Sequence, residues 1–318
     1  MTLNSDPENM KIFSLNSNIA LASEIAKYAG INLGKRTVTR FSDGEIQMHI
    51  EESVRGYDTY IIQSIAHQGN DFIIELLMMI DAMKRSSAKS INCVIPYFGY
   101  SRQDRKARSR EPITAKLIAN LLEKTGATRV ITVDLHSPQV QGFFNVPVDQ
   151  LLTFPILSEY FIDKELENVV VVAPENTGVV RARKLAEALD APLAFIDRNR
   201  RPLPSYAGKM EIVGEVSGKT AIIIDDMIDT ARTITQASHI LIEKGVKEVY
   251  ACCTHPVLSE PAISWIEEAE IKELVTTDTI YLSEEKRIDK ITQLSIAPLL
   301  AQAILKVQKS QSISSLFD

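Results

Sequence analysis

Cysteine is scarce in this chain: Cys93, Cys252 and Cys253 are the only three in 318 residues. Cys93 and Cys253 sit in or beside apolar runs. Such usage excludes a disulfide framework and suits reduced thiols in a cytosol. Cys252 and Cys253 are adjacent, which also excludes the ligand spacing of a zinc site. Of the five histidines, His49, His67, His239 and His255 are scattered without ligand spacing and read as structural. No stretch of 18 apolar residues exists, so no transmembrane helix and no membrane partner are expected. Residues 1–9 are polar and lack the apolar core of a signal peptide, so the expected location is cytoplasmic. An excess of positive charge is missing too. With 35 Lys and Arg against 41 Asp and Glu the net charge is −6, which argues against general nucleic-acid binding.

What the chain does have is ordinary globular composition, 45% hydrophobic and 24% charged, and a length that allows two domains. Strand-like apolar runs alternate with helical patterns. The first series places strands at 10–15, 60–65, 90–96 and 129–133, with helices at 19–29 and 71–84 between them. A further helix has Pro112 at its first position and Gly126 just past its end. The second series places strands at 169–173, 192–196, 221–224, 248–253 and 273–276, with helices at 179–189, 235–244 and 261–268. Alternation of this kind gives parallel sheets covered by helices. The expectation is therefore an α/β protein of two similar domains, each with a mainly parallel five-stranded sheet. They span 1–150 and 151–295 and join near 148–154. A final helix in 296–318 packs back on the first domain.

The stretch 221–235 organises the rest. An apolar strand ends in Asp225 and Asp226, then comes a polar loop, then a helix. That order puts a ligand site at the carboxyl end of a parallel strand. Paired acids suit a sugar diol or a magnesium ion, and loop amides before a helix suit a phosphate. A plain strand-to-helix turn with caps fits the same pattern. Residues 97–111 interleave five cations with Tyr97, Phe98 and Tyr100. Guanidiniums beside aromatics can hold a polyphosphate and stack a base; a solvated or subunit-contacting loop, or an RNA-binding patch, fits the same composition. Asp134 and His136 follow a strand, and Glu175, Asn176 and Thr177 precede a helix, as sugar or metal groups or as ordinary caps. Residues 39–49 carry a turn signal between alternating segments, as a hairpin does. Residues 197–214, with Arg198, Arg200 and Arg201, lack apolar periodicity, as a mobile loop does.

Taken together, RFSDGE (40–45), EESVRG (51–56), PYFGYSRQDRKARSREPITAK (96–116), DLHSPQVQGFF (134–144), VRARKLA (180–186), IDDMIDT (224–230) and ACCTHPVLS (251–259) resemble class I ribose-phosphate diphosphokinases, the phosphoribosyl-diphosphate synthetases. The resemblance covers about residues 10–318. It implies two tandem phosphoribosyltransferase-like domains, ATP and ribose 5-phosphate as substrates, Mg²⁺ as cofactor and a homohexamer. By motif, Phe41, Asp43, Gly44 and Glu45 would contact adenine from a neighbouring subunit, and Arg102 and Gln103 would bind ATP. His136 and Glu175 would serve the metal. Asp225 and Asp226 would hold the ribose hydroxyls, and Asp229, Thr230, Ala231, Arg232 and Thr233 would wrap the 5-phosphate. Arg198 and Arg200 would supply catalytic cations. Three positions depart from the family pattern: Arg198 stands for lysine, Glu175 for aspartate, and Arg232 for glycine. If position 232 needs positive φ, its side chain costs roughly 1–2 kcal/mol. A divergent second copy is the alternative these departures suggest, a weak or inactive paralogue that regulates an active homologue by mixed assembly.

Overall fold

The computed structural model describes residues 9–198 and 210–317, with the Arg198 side chain left out. Arg200 and most of the arginine-rich stretch expected to form a loop therefore lie outside the described residues. The chain divides into two compact units. The first runs through Leu152 and adds Thr279–Tyr281 and the stretch from Ser295 onward. The second comprises Thr153–Asp278 and Leu282–Leu294.

In the first unit, β1 (Met10–Ser14) leads through α1 (Ile19–Ala29) to a two-stranded antiparallel hairpin, β2 (Arg36–Arg40) and β3 (Ile46–Ile50). Asn18 caps α1 by accepting the Leu21 N–H at 3.1 Å. The unit continues with β4 (Asp58–Ile62), α2 (Gly69–Arg85), β5 (Ser90–Ile95), α3 (Thr114–Thr125), β6 (Arg129–Val133) and β7 (Val148–Leu151). These strands form a five-stranded, wholly parallel sheet in the order β1-β4-β5-β6-β7. Two expectations need correction. Pro112 lies before Ile113, the cap of α3, instead of in its first turn. Residues 148–151, expected as a linker, form the edge strand β7; its VDQL sequence has no apolar run to announce it.

The second unit holds α4 (Phe154–Asp163), β8 (Val169–Ala173), α5 (Val179–Ala188), β9 (Leu193–Arg198), β10 (Met210–Val213), β11 (Thr220–Ile228), α6 (Arg232–Glu243), β12 (Glu248–Pro256), α7 (Ala262–Glu268), β13 (Ile271–Thr277) and β14 (Ile291–Leu294). Its sheet has seven strands, not five, in the order β10-β9-β8-β11-β12-β13-β14. The five expected strands form its parallel centre. Short edge strands join them, β10 antiparallel and β14 parallel. Each edge strand has four residues and is at most half-buried, so neither carries the apolar run of a central strand.

Successive residues of a central strand feed opposite faces of the sheet. Val170, Val172, Ala221 and Ile223 enter one apolar core; Val171, Ala173, Ile222 and Ile224 enter the other. The final helix, α8 (Ala297–Gln308), belongs to the first unit and packs on α1. There the Tyr60 hydroxyl donates to Gln308 Oε1 at 3.2 Å. All three cysteines are buried and unbridged. Burial alone pushes the Cys93 thiol up to about 12, which leaves it unreactive at neutral pH. Among the described residues no helix is long and apolar enough to cross a membrane.

Candidate active site

In the second unit, β8 leads through α5 to β9 on one side, while β11 leads through α6 to β12 on the other. The order of the sheet reverses between β8 and β11. At such a reversal the covering helices diverge and leave a crevice outside the carboxyl ends of the strands. β8 pairs with β11 only through Ile223, but β12 accompanies β11 to Ile228. The last residues of β11 therefore stand beyond the end of β8. Asp225 and Asp226 lie within this overhang and belong to the strand, although the sequence suggested that the strand stops before them.

Asp226 is buried, with 4% exposure. Asp225 is partly exposed and accepts the Asp226 N–H at 2.9 Å. Arg181, in the first turn of α5, reaches both acids, 3.5 Å to Asp225 Oδ1 and 3.5 Å to Asp226 Oδ1. One guanidinium thus faces two neighbouring carboxyl groups in a shielded place. Burial first, and the Asp226 charge second, push the Asp225 carboxyl up to about 7, while Arg181 pulls it down. The arginine was visible in the VRARKLA motif, but nothing in the spacing showed that it faces the acid pair.

Beyond Ile228 the chain turns through Asp229 and Thr230 into α6. Ala231 is the residue before the helix, with φ 61°, and its own methyl side chain makes no cap hydrogen bond. Arg232 is the first helical residue and is exposed. The positive φ considered for position 232 thus falls one residue earlier, on a methyl side chain. Arg232 has ordinary helical backbone and no steric penalty. Its guanidinium and the first N–H groups of α6 share one helix end, where backbone dipoles favour an anion.

Glu175 follows β8 in extended conformation, ahead of a short 3₁₀ turn, Asn176–Gly178, that runs into α5. Asn176 Nδ2 donates to Asp197 Oδ1 at the end of β9, 3.1 Å away. Gly178 would admit a side chain, since a Cβ there would stay 3.8 Å or more from its neighbours.

The first unit carries the other candidates. Phe41, Asp43, Gly44 and Glu45 form the tip of the β2–β3 hairpin, with Phe41 at 52% exposure. Asp43 Oδ1 accepts the Glu45 N–H at 3.1 Å and shapes the turn. Arg102 and Gln103 are exposed in the loop after β5; Gln103 Oε1 accepts the Thr114 hydroxyl at 2.6 Å. Arg105, Lys106, Arg108 and Arg110 are exposed in the same loop, which Glu111 ties by accepting the Ala107 and Arg108 N–H groups at 2.9 and 2.8 Å. His136 is exposed after β6, two residues past Asp134. His67, Tyr100 and Asp134, in the loops after β4, β5 and β6, all have positive φ, at 51°, 65° and 36°. Non-glycine residues held there concentrate at ligand sites. His136 and Glu175 belong to different units, and among the described residues no three His, Cys, Asp or Glu side chains gather into a metal cage.

Comparison with known proteins shows the family. Residues 10–126 match the model of the N-terminal domain of ribose phosphate pyrophosphokinase, and residues 199–318 match that of the phosphoribosyl synthetase-associated domain. The chain is 64% identical over 313 residues to a ribose-phosphate pyrophosphokinase of Halalkalibacterium halodurans, covering 98% of each chain. It is 63% identical over 310 residues to that of Bacillus subtilis, again covering 98% of each. The crystal structure of phosphoribosylpyrophosphate synthetase from Mycobacterium smegmatis superposes with a TM-score of 0.91 at 42% identity, over 95% of this chain and 99% of that one. The chain belongs to the ribose-phosphate pyrophosphokinase family, and its two units are the family's tandem phosphoribosyltransferase-like domains.

Proposed function

We propose that this chain transfers the β,γ-diphosphoryl group of Mg-ATP to the C1 hydroxyl of ribose 5-phosphate, for nucleotide biosynthesis. The hydroxyl oxygen attacks the β-phosphorus and gives up its proton. The bond from the β-phosphorus to the oxygen bridging the α-phosphorus breaks, and AMP leaves with that oxygen. Asp225 and Asp226 accept hydrogen bonds from the ribose 2- and 3-hydroxyls. The loop Asp229–Thr233 and the start of α6 take the 5-phosphate, with Arg232 adding a cation. Arg102 and Gln103 bind ATP, and Phe41, Asp43, Gly44 and Glu45 contact adenine from a neighbouring subunit of a homohexamer. Arg198 and Arg200 provide positive charge to the group in transfer. Alignment and charge neutralisation account for most of the catalysis in such reactions.

The donors fit magnesium that arrives on phosphate oxygens. Magnesium keeps several waters and takes one or two carboxylates beside substrate phosphates. The hard oxygens of Glu175, Asp225 and Asp226 suit that mode better than an all-protein cage would, and the described residues form no such cage. Glu175 in the second unit and His136 in the first are each, by motif, residues that would serve the metal, which when bound neutralises phosphate charge.

The observation that carries this reading is the acid pair at the sheet reversal, followed directly by a loop and the amino end of α6. Together they offer a diol site and a phosphate site on one strand–loop–helix segment. The test is an assay of purified protein with Mg-ATP and ribose 5-phosphate. AMP and phosphoribosyl diphosphate should appear at equal rates; no turnover above background at high protein concentration rejects the reading. No observation favours the regulatory paralogue, since relatives at over 60% identity along nearly the whole chain carry the enzyme's name.

A further inference from the structure

Several buried ionisable groups of the first unit have no part in the chemistry above, and one of them is a carboxylate. Glu75, in the second turn of α2, is a carboxylate at 1% exposure. Its Oε1 accepts Asn16 Nδ2 at 3.1 Å, just past β1, and its Oε2 accepts Gln63 Nε2 at 3.0 Å, just past β4. Gln63 in turn accepts the Ser17 N–H at 3.1 Å. Glu75 is therefore fixed to the carboxyl ends of two sheet strands. A buried carboxylate also needs positive charge, and both nearby guanidiniums come from one element, strand β2 of the hairpin. Arg40 Nη2 lies 3.9 Å from Glu75 Oε1 and donates to Asp71 Oδ2 at 3.1 Å, one turn earlier on α2. Its other nitrogen, Nη1, donates to the Gly44 carbonyl in the hairpin tip at 3.3 Å. Arg36, at the base of the hairpin, donates to the Ser14 and Leu15 carbonyls at 2.7 and 3.3 Å. Burial lowers the Arg36 pKa and the Glu75 charge opposes that shift, so the two groups sense each other.

We propose that Glu75 is a positioning residue that sets the angle and order of the β2–β3 hairpin, acting through Arg40 on the tip residues Phe41–Glu45. Two strands and a short turn are marginal as an independent structure. Most residues of β2 and β3 are exposed or half-buried, so apolar packing alone holds the hairpin weakly. The buried charge supplies a directional anchor, and Arg40 carries that anchor to the tip. The inference rests on the reading of the tip as an ATP contact.

Glu75→Gln keeps the shape but removes the charge, and its amide turns donors toward the donors of Asn16 or Gln63. Arg40→Ala removes the link at a partly exposed position that the fold tolerates. Each should raise the KM for ATP about fivefold, the range expected for coupled neighbours. The KM for ribose 5-phosphate should stay within about twofold of wild type. Amide hydrogen exchange of residues 36–50 in the full-length protein should speed up in both variants, more than in the five-stranded sheet. The double variant should be no worse than the more impaired single one. An unchanged ATP KM with unchanged hairpin exchange overturns the proposal, as do effects that simply add in the double variant. The exchange measurement does not depend on turnover. If the wild type proves inactive, the function reading fails while exchange still decides whether Glu75 orders the hairpin.

Discussion

Ala231 and Arg232 exchange the roles the sequence suggested. Glycine at 232 is the family pattern, and a positive φ at that position would carry a cost for arginine. The left-handed residue is Ala231, at φ 61°, and Arg232 begins the helix. Ala231→Gly should therefore stabilise the protein, by about 1 kcal/mol or somewhat less, because relief of the left-handed alanine outweighs the extra freedom of glycine in the unfolded chain. Thermal denaturation reads this as a Tm higher by about 2–4 °C. Arg232→Gly should bring no such gain. It removes a cation beside the proposed phosphate and should raise the KM for ribose 5-phosphate by up to about tenfold, with little change in kcat. Asp225 gives a pH test. In the folded chain its carboxyl stays protonated up to about 7, against about 3.9 when unfolded. The folded state thus binds the extra proton, and stability falls as pH rises from about 4 to about 7. Asp225→Asn should flatten that fall and raise the Tm at pH 8 by about 2–4 °C, while weakening ribose 5-phosphate binding. In the wild type the KM for ribose 5-phosphate should rise as pH drops below 7, with a component absent from the variant.

At the scale of elements, what was legible followed from apolar continuity. The run Ala221–Ile224 announces a central strand and the alternation of runs announces the parallel sheets. β7, β10 and β14 were not legible, since edge strands need no apolar run on both faces. Where β11 ends was also hidden. Two aspartates look like the end of a strand, yet pairing with β12 carries the strand through them to Ile228. The candidate residues were readable through motifs, whereas their partners were not. Arg181 on the acid pair and Glu75 under Arg40 are tertiary contacts between residues far apart in sequence. A further element-scale constraint lies between the loops after β4 and β5. A Cβ at Gly99 would stand 2.4 Å from the Ile65 carbonyl oxygen, so the two backbones touch. Gly99→Ala should destabilise the protein by about 1–3 kcal/mol, measured by denaturant unfolding, because the loop that carries Arg102 must shift.

For the whole molecule, duplicated alternation of strands and helices was enough to foresee two α/β domains, and the two units confirm different uses of one plan. The first sheet runs without a reversal of order, and its candidate groups sit on long loops and a projecting hairpin. The second sheet reverses between β8 and β11, and its candidate groups sit on the strand ends themselves. This reversal is the proposed ribose 5-phosphate site. A crystal structure of the full-length protein with ribose 5-phosphate bound tests it most directly. The sugar diol should lie within hydrogen-bond distance of Asp225 and Asp226, and the phosphate on the N–H groups of residues 230–233. A sugar phosphate bound elsewhere, with the Asp225–Asp226 pair and the start of α6 untouched, would contradict it.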